Sequence, residues 1–184
     1  PSAPAGVNAV ASSATQVQVS WNAATGATSY EIFRRAPGGS FVSRGTSVTT
    51  SFIDAASSNT AYLYRVRALN AGGSSGDSAY DLATTVMFAD DPLAPGGIVR
   101  AVHLSQLRTA VSAVRAQATL APATYTDAAA AGVMVKAVHI TELRTALDGA
   151  MASLGLTTGG WTDASLTAVM VKAVHFQQIR SRVQ

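Results

Sequence analysis

The sequence predicts a two-domain chain: an all-β sandwich over residues 1–88, a linker at 89–97, and a small all-α domain of three repeats over 98–184. Three observations predict this. Apolar residues alternate with polar ones through the first half, they recur at spacings of three and four through the second, and one motif returns every 36 residues. The junction Asp90, Asp91, Pro92, Leu93, Ala94, Pro95, Gly96, Gly97 is polar and carries two prolines and two glycines, the composition of a short linker.

The strands are read from period-two alternation. Val17, Val19 and Trp21 alternate with Gln16, Gln18 and Ser20, which places three apolar side chains on one face of a strand. Tyr30 and Ile32 repeat the pattern after a turn at 24–27. Tyr62, Tyr64, Val66 and Ala68 repeat it again, with Leu63, Arg65 and Arg67 expected outward, and Asn70, Ala71, Gly72, Gly73 ending the strand. Several short alternating strands at this spacing argue for an antiparallel sandwich.

These residues also carry a resemblance. A proline near the start, V-Q-V-S-W at 17–21, S-Y-E-I-F-R-R at 29–35 and Y-L-Y-R-V-R-A-L-N-A-G-G-S-S at 62–75 make residues 4–86 resemble a fibronectin type III domain, an Ig-like sandwich. The resemblance implies that Tyr62 ties a corner of the sandwich to nearby backbone. The cell-attachment tripeptide R-G-D is missing, the nearest stretch being Ser43, Arg44, Gly45, Thr46. Arg34, Arg35, Arg65 and Arg67 form a candidate positive stripe, which reads more simply as solvated charge.

The helices come from the repeat. Arg100-Ala101-Val102-His103, Lys136-Ala137-Val138-His139 and Lys172-Ala173-Val174-His175 each continue into Leu107-Arg108, Leu143-Arg144 or Ile179-Arg180. Asp91, Asp127 and Asp163 share one register upstream, with Tyr125 and Trp161 two residues before their aspartates. Ile140, Leu143, Leu147, Met151 and Leu154 form one stripe, and Gly155 supplies its stop. Leu104, Leu107, Val111 and Val114 form the matching stripe in the first copy, and Phe176, Ile179 and Val183 begin it in the third.

The three histidines stand just ahead of these stripes. His103, His139 and His175 are each followed three residues on by Gln106, Glu142 or Gln178, the spacing of a capping box, with a valine-to-leucine or valine-to-isoleucine staple around it. They are therefore read as structural caps in which the imidazole sits at the N-cap, and not as metal ligands. Protonation would then destabilise the helical half below about pH 6.

A repeated loop and helix behind such a sandwich is also similar to the dockerin arrangement. Asp91 to Gly96 and Asp127 to Gly132 have the offset of a calcium loop, with Ile98, Met134 and Met170 at its apolar position. The ligands are gone: Leu93 and Pro95, Ala129 and Ala131, then Ser165 and Thr167 fill the places for oxygen donors, and valine fills the twelfth. No metal and no other cofactor is expected.

Composition excludes further classes. The chain has no cysteine, so it has no disulfide and no thiolate chemistry. Residues 1–88 hold five arginines against four acids, and 89–184 hold eight basic residues against six acids, which is no nucleic-acid-binding patch. No apolar run reaches the roughly 18 residues of a membrane span, and no leader is recognised, so a signal peptide is read as absent or removed. Nucleotide-binding, zinc-protease and serine-hydrolase motifs are missing, and the chain is read as non-catalytic.

Three functions remain. The first is an extracellular or cell-surface binding or spacer module of a larger bacterial protein, with a protein partner. The second is a self-assembling structural subunit, because an unfinished third copy is expected to leave Phe176 and Ile179 uncovered. The third is a carbohydrate-binding accessory module using Tyr125 or Trp161, although a repeated aromatic more often seals the junction between copies.

Overall fold

The computed structural model describes residues 1–127 and 134–184. The chain divides into two compact units, Pro1–Thr85 and Val86–Val183.

The first unit is built from eight strands: β1 Asn8–Ser13, β2 Gln16–Ser20, β3 Ser29–Arg35, β4 Phe41–Ser47, β5 Ser51–Ala55, β6 Ala61–Asn70, β7 Gly73–Ser74 and β8 Asp81–Thr84. One sheet has the order β1-β2-β5 and the other β4-β3-β6, with β7 and β8 pairing successive parts of β6. All pairs are antiparallel. The alternation read from the sequence sets the core: Val17, Val19 and Trp21 pack with Tyr30, Ile32, Tyr62, Tyr64, Val66 and Ala68.

Two positions on this unit differ from the alternation. Leu63 points away from that core yet is fully buried, because its cross-strand neighbours on β3 and β8 are the long side chains Arg35 and Leu82. The four arginines do not form one stripe. Arg34 shares the inward face of β3 with Tyr30 and Ile32, and its guanidinium reaches the buried carboxylate of Asp54 at 2.7 Å. Arg44 Nε and the Tyr64 hydroxyl donate to the same carboxylate at 2.8 and 2.9 Å. Arg65 and Arg67 face outward and clamp Asp77.

Among the described residues the second unit holds three helices: α1 Ala101–Gln117, α2 Ala137–Ser153 and α3 Ala173–Val183. Every apolar residue of the predicted stripes is buried. α2 ends as expected, with Gly155 at φ 68° and the Leu156 amide donating to the Met151 carbonyl at 2.9 Å. α1 uses the same ending with Thr119 in the left-handed position, at φ 56°. α3 is 11 residues long, below the roughly 12–15 at which an isolated helix begins to hold. Its burial of Phe176, Ile179 and Val183 supplies what propensity does not, at about 1.5–3 kcal/mol for each large apolar side chain.

The linker is corrected. The boundary between the units falls after Thr85, and residues 89–97 are built into the helical unit: Leu93 is buried, and the amides of Ala89 and Leu93 donate to Gln106 and Gln177. Proline and glycine mark irregular backbone here, but hydrogen bonds and a buried leucine fix it. The expected exposure of Phe176 and Ile179 is also corrected, since both are fully buried against the other copies. Among the described residues no helix is long and apolar enough to cross a membrane.

Candidate functional site

The repeated polar residues converge on three loop–helix junctions. At the start of α1 and α2, Arg100 and Lys136 take extended backbone as N-cap residues. Each histidine is the third helical residue, and its Nδ1 accepts the cap residue's backbone N–H: His103 from Arg100 at 3.1 Å, His139 from Lys136 at 3.2 Å and His175 from Lys172 at 3.1 Å. The imidazole therefore does what a Glu or Gln does in a capping box. The reading of histidine as the N-cap is displaced by three residues, and the valine staple goes with it: Val102, Val138 and Val174 remain 39–41% exposed.

An acceptor at Nδ1 fixes the tautomer, so Nε2 carries the proton. It donates to a carboxylate in every copy: Asp90 at 3.2 Å, Asp127 at 3.1 Å and Asp163 at 3.0 Å. The cap residue's cation meets the same oxygen, from Lys136 at 2.8 Å, Lys172 at 3.4 Å and Arg100 at 3.5 Å. The Lys136 hydrogen bond, then that of His139, holds the Asp127 carboxyl below the usual range. The His175 bond does the same for Asp163, aided by Lys172.

Gln106, Glu142 and Gln178 do not reach back to their own helix starts. They accept the amides of Ala89 at 3.0 Å, Thr126 at 3.0 Å and Thr162 at 3.1 Å, and so pin the preceding loop. The Thr126 hydroxyl also donates to Glu142, and Gln178 Nε2 donates to the Thr162 hydroxyl at 2.7 Å.

The arginines join one copy to the next. Arg108 donates to the Asp127 carbonyl at 2.6 Å and lies over the Tyr125 ring at 4.3 Å. Arg144 donates to the carbonyls of Asp163 and Thr162, both at 2.9 Å, and lies 5.1 Å from the Trp161 ring. Arg180 of the last copy returns to the first: it donates to the carbonyls of Asp90 and Ala89, both at 2.9 Å, and lies 5.0 Å from Phe88. The three copies close into a ring. Arg144 and Arg180 are buried, which presses their pKa values down against the opposing pull of nearby aspartates.

This geometry corrects the register. The working motif is aromatic-x-Asp: Phe88-Ala89-Asp90, Tyr125-Thr126-Asp127 and Trp161-Thr162-Asp163. The first copy carries one extra residue between its aspartate and its histidine, so Asp90, and not Asp91, pairs with His103. The signal was present in the sequence, as Phe88 two residues before Asp90, but a fixed spacing of 36 hides it. Arg108 bonds to the backbone carbonyl of Asp127 and not to its carboxylate.

Tyr125 and Trp161 are half-buried parts of these junctions. Trp161 also lies under Arg182 at 4.0 Å and donates its indole N–H to Asp148 at 2.8 Å. Burial raises the Tyr125 phenol pKa. The calcium-loop alignment fails at its apolar position, where Ile98, Met134 and Met170 are 75, 77 and 80% exposed. Gly132, Ala129 and Ala131 of that alignment lie outside the described residues. Among the described residues, no three His, Asp or Glu side chains converge as a metal site would require. Chemically, each imidazole has both nitrogens committed, one to an amide and one to a carboxylate.

Two sheets in the order β1-β2-β5 and β4-β3-β6-β8, with the Ser57 amide donating to the Tyr62 hydroxyl at 3.0 Å, make the first unit a fibronectin type III-like sandwich. No family model matches the chain. It is similar to an alpha-amylase of Niallia circulans, 44% identical over 90 residues, which is 46% of this chain and 7% of that protein. It is also similar to Exoglucanase B of Cellulomonas fimi, 37% identical over 100 residues, which is 52% of this chain and 9% of that protein. The chain thus spans less than a tenth of either relative. Among solved structures, a Fn3-like protein from Clostridium thermocellum is 34% identical, covering 45% of this chain and 90% of that one, with a TM-score of 0.42. Domains A168-A170 of titin are 25% identical, covering 46% and 32%, with a TM-score of 0.43.

Proposed function

We propose that this chain is a non-catalytic accessory segment of a larger bacterial protein that works outside the cell on glucans, with the sandwich as a binding or spacer module beside a closed three-helix unit. The observation that carries the reading is the stretch of 90 residues shared at 44% identity with an alpha-amylase, of which it forms only 7%. A segment that small sits beside the chemistry of such an enzyme and does not perform it. The exoglucanase match has the same proportions.

The helical unit agrees with a non-catalytic role. A general base needs a nitrogen or carboxylate free to meet a substrate proton, and here His103, His139 and His175 spend both nitrogens on starting helices. Self-assembly loses its ground with the burial of Phe176 and Ile179. Sugar stacking on Trp161 competes with two guanidinium groups already over that ring.

The test is to incubate the full chain with soluble starch and β-glucan, and to sediment it with insoluble starch and cellulose. No reducing ends above blank are expected. Sedimentation with one glucan marks a binder, and its absence with all of them marks a spacer. Hydrolysis that disappears in His175→Asn overturns the reading.

A further inference from the structure

The three junctions share one plan and differ in how firmly they are tied. Among the described residues, Arg108 donates once to the next copy, whereas Arg144 and Arg180 each donate twice. The closing junction has more. Ser105 and Thr141 occupy equivalent helical positions, and their hydroxyls turn back on their own helices, to the Val102 and Ala137 carbonyls. The third copy has Gln177 there, which crosses to the first copy: its Oε1 accepts the Leu93 amide at 2.9 Å and its Nε2 donates to Asp91 at 3.3 Å. Arg180 also lies 3.6 Å from the Asp91 carboxylate, and Phe176 meets His103 edge-on at 6.5 Å.

These ties connect residues 88–93, where the chain comes into the unit, with residues 176–180, where it leaves. We propose that this junction is a mechanical clasp, which carries tension along the chain past the covalent stretch 94–175 and keeps the inner junctions unloaded. Gln177 and Asp91 are its dedicated parts: Ser105 and Thr141 stand where Gln177 does and turn back on their own helices, and among the described residues no side chain of the other copies takes the part of Asp91. The inference depends on the closed ring alone, and holds whether or not the protein meets a glucan.

The sequence holds no cysteine, so one engineered at each end gives a clean tether for stretching single molecules of this chain at constant force. The helical unit is expected to lengthen in one step of about 330 Å as the clasp fails. The sandwich step, unchanged among variants, tells the two apart. Gln177→Ala shortens the lifetime of the closed unit about tenfold, and Arg180→Ala shortens it further. Arg108→Ala, at an inner junction, leaves it unchanged. Should Arg180→Ala not fold, Gln177→Ala carries the test, since its side chain is only partly buried. Three steps of about 110 Å, one per copy, or a lifetime that Arg108→Ala shortens as much as Gln177→Ala, overturns the proposal.

Discussion

The two units solve the same problem with different materials. The sandwich joins its sheets through a continuous apolar core, and its fully buried carboxylate, Asp54, meets Arg34, Arg44 and Tyr64. The helical unit has three helices of 17, 17 and 11 residues and joins them through charge at every seam. Short helices offer few ridges to interlock, so loops must be held as well as helices, and loops present carbonyls and amides. A guanidinium fits that need because it offers five donors in a fixed plane and an apolar face to an aromatic ring. In the sandwich a lost ion pair loosens the contacts of one carboxylate. In the ring, losing Arg180 opens the seam at which the last copy meets the first.

The largest expected effect tests that contrast. Arg180→Met keeps volume but leaves the Ala89 and Asp90 carbonyls without their donor, and should destabilise the helical unit by about 3 kcal/mol while leaving the sandwich untouched. Trp161 lies in the helical unit and Trp21 in the sandwich core, so a Trp21→Phe background lets fluorescence follow the helical unit through urea unfolding. Equal loss in both units would break the comparison. Asp54→Asn should cost the sandwich about 2 kcal/mol, less than the arginine, because Arg44 can turn to water; it is followed in a Trp161→Phe background. Tyr62→Phe removes the bond to the Ser57 amide and should lower the sandwich's stability by about 1 kcal/mol, visible as a shift in denaturation midpoint at constant slope.

Acid separates the units most gradually. Asp127 and Asp163 have folded pKa values below the ordinary carboxyl range, so their contribution is complete above the unfolded value of about 4 and is lost as pH falls through the lower folded values. Asp81 in the sandwich is raised by burial. Its sign is opposite: its contribution is present below about pH 4 and is lost as pH rises through the raised folded value. Melting each unit between pH 7 and 2 should therefore show the helical unit failing first. A loss already complete well above the carboxyl range would assign the transition to groups other than these aspartates.

Much of this architecture is readable in the residue order. Val17, Val19 and Trp21 had only one face to share, and Ile140, Leu143, Leu147 and Met151 had only one helical stripe. The recurrence of A-V-H told that three equivalent elements follow one another. The sites were less legible. His103, His139 and His175 were recognisable as cap residues, yet their place as third helical residues depends on where the chain leaves extended backbone, and Arg100 and Lys136 do so three residues sooner than the histidines suggest. Gln106, Glu142 and Gln178 satisfied a spacing rule for the helix start while bonding to the loop.

The sequence by itself determined β2, β3 and β6, the apolar stripes of the helices and the threefold recurrence, since each follows from local periodicity and the burial of a single face; β1, β4, β5, β7 and β8 are too short or too polar to show it. Only the tertiary structure decided that Asp90 replaces Asp91, that Arg180 returns to Phe88, and that the last copy closes on the first. Spacing identifies equivalent residues, but a side chain bonds to whatever the folded backbone brings within about 3 Å, and for Arg180 that backbone lies some ninety residues earlier in the chain.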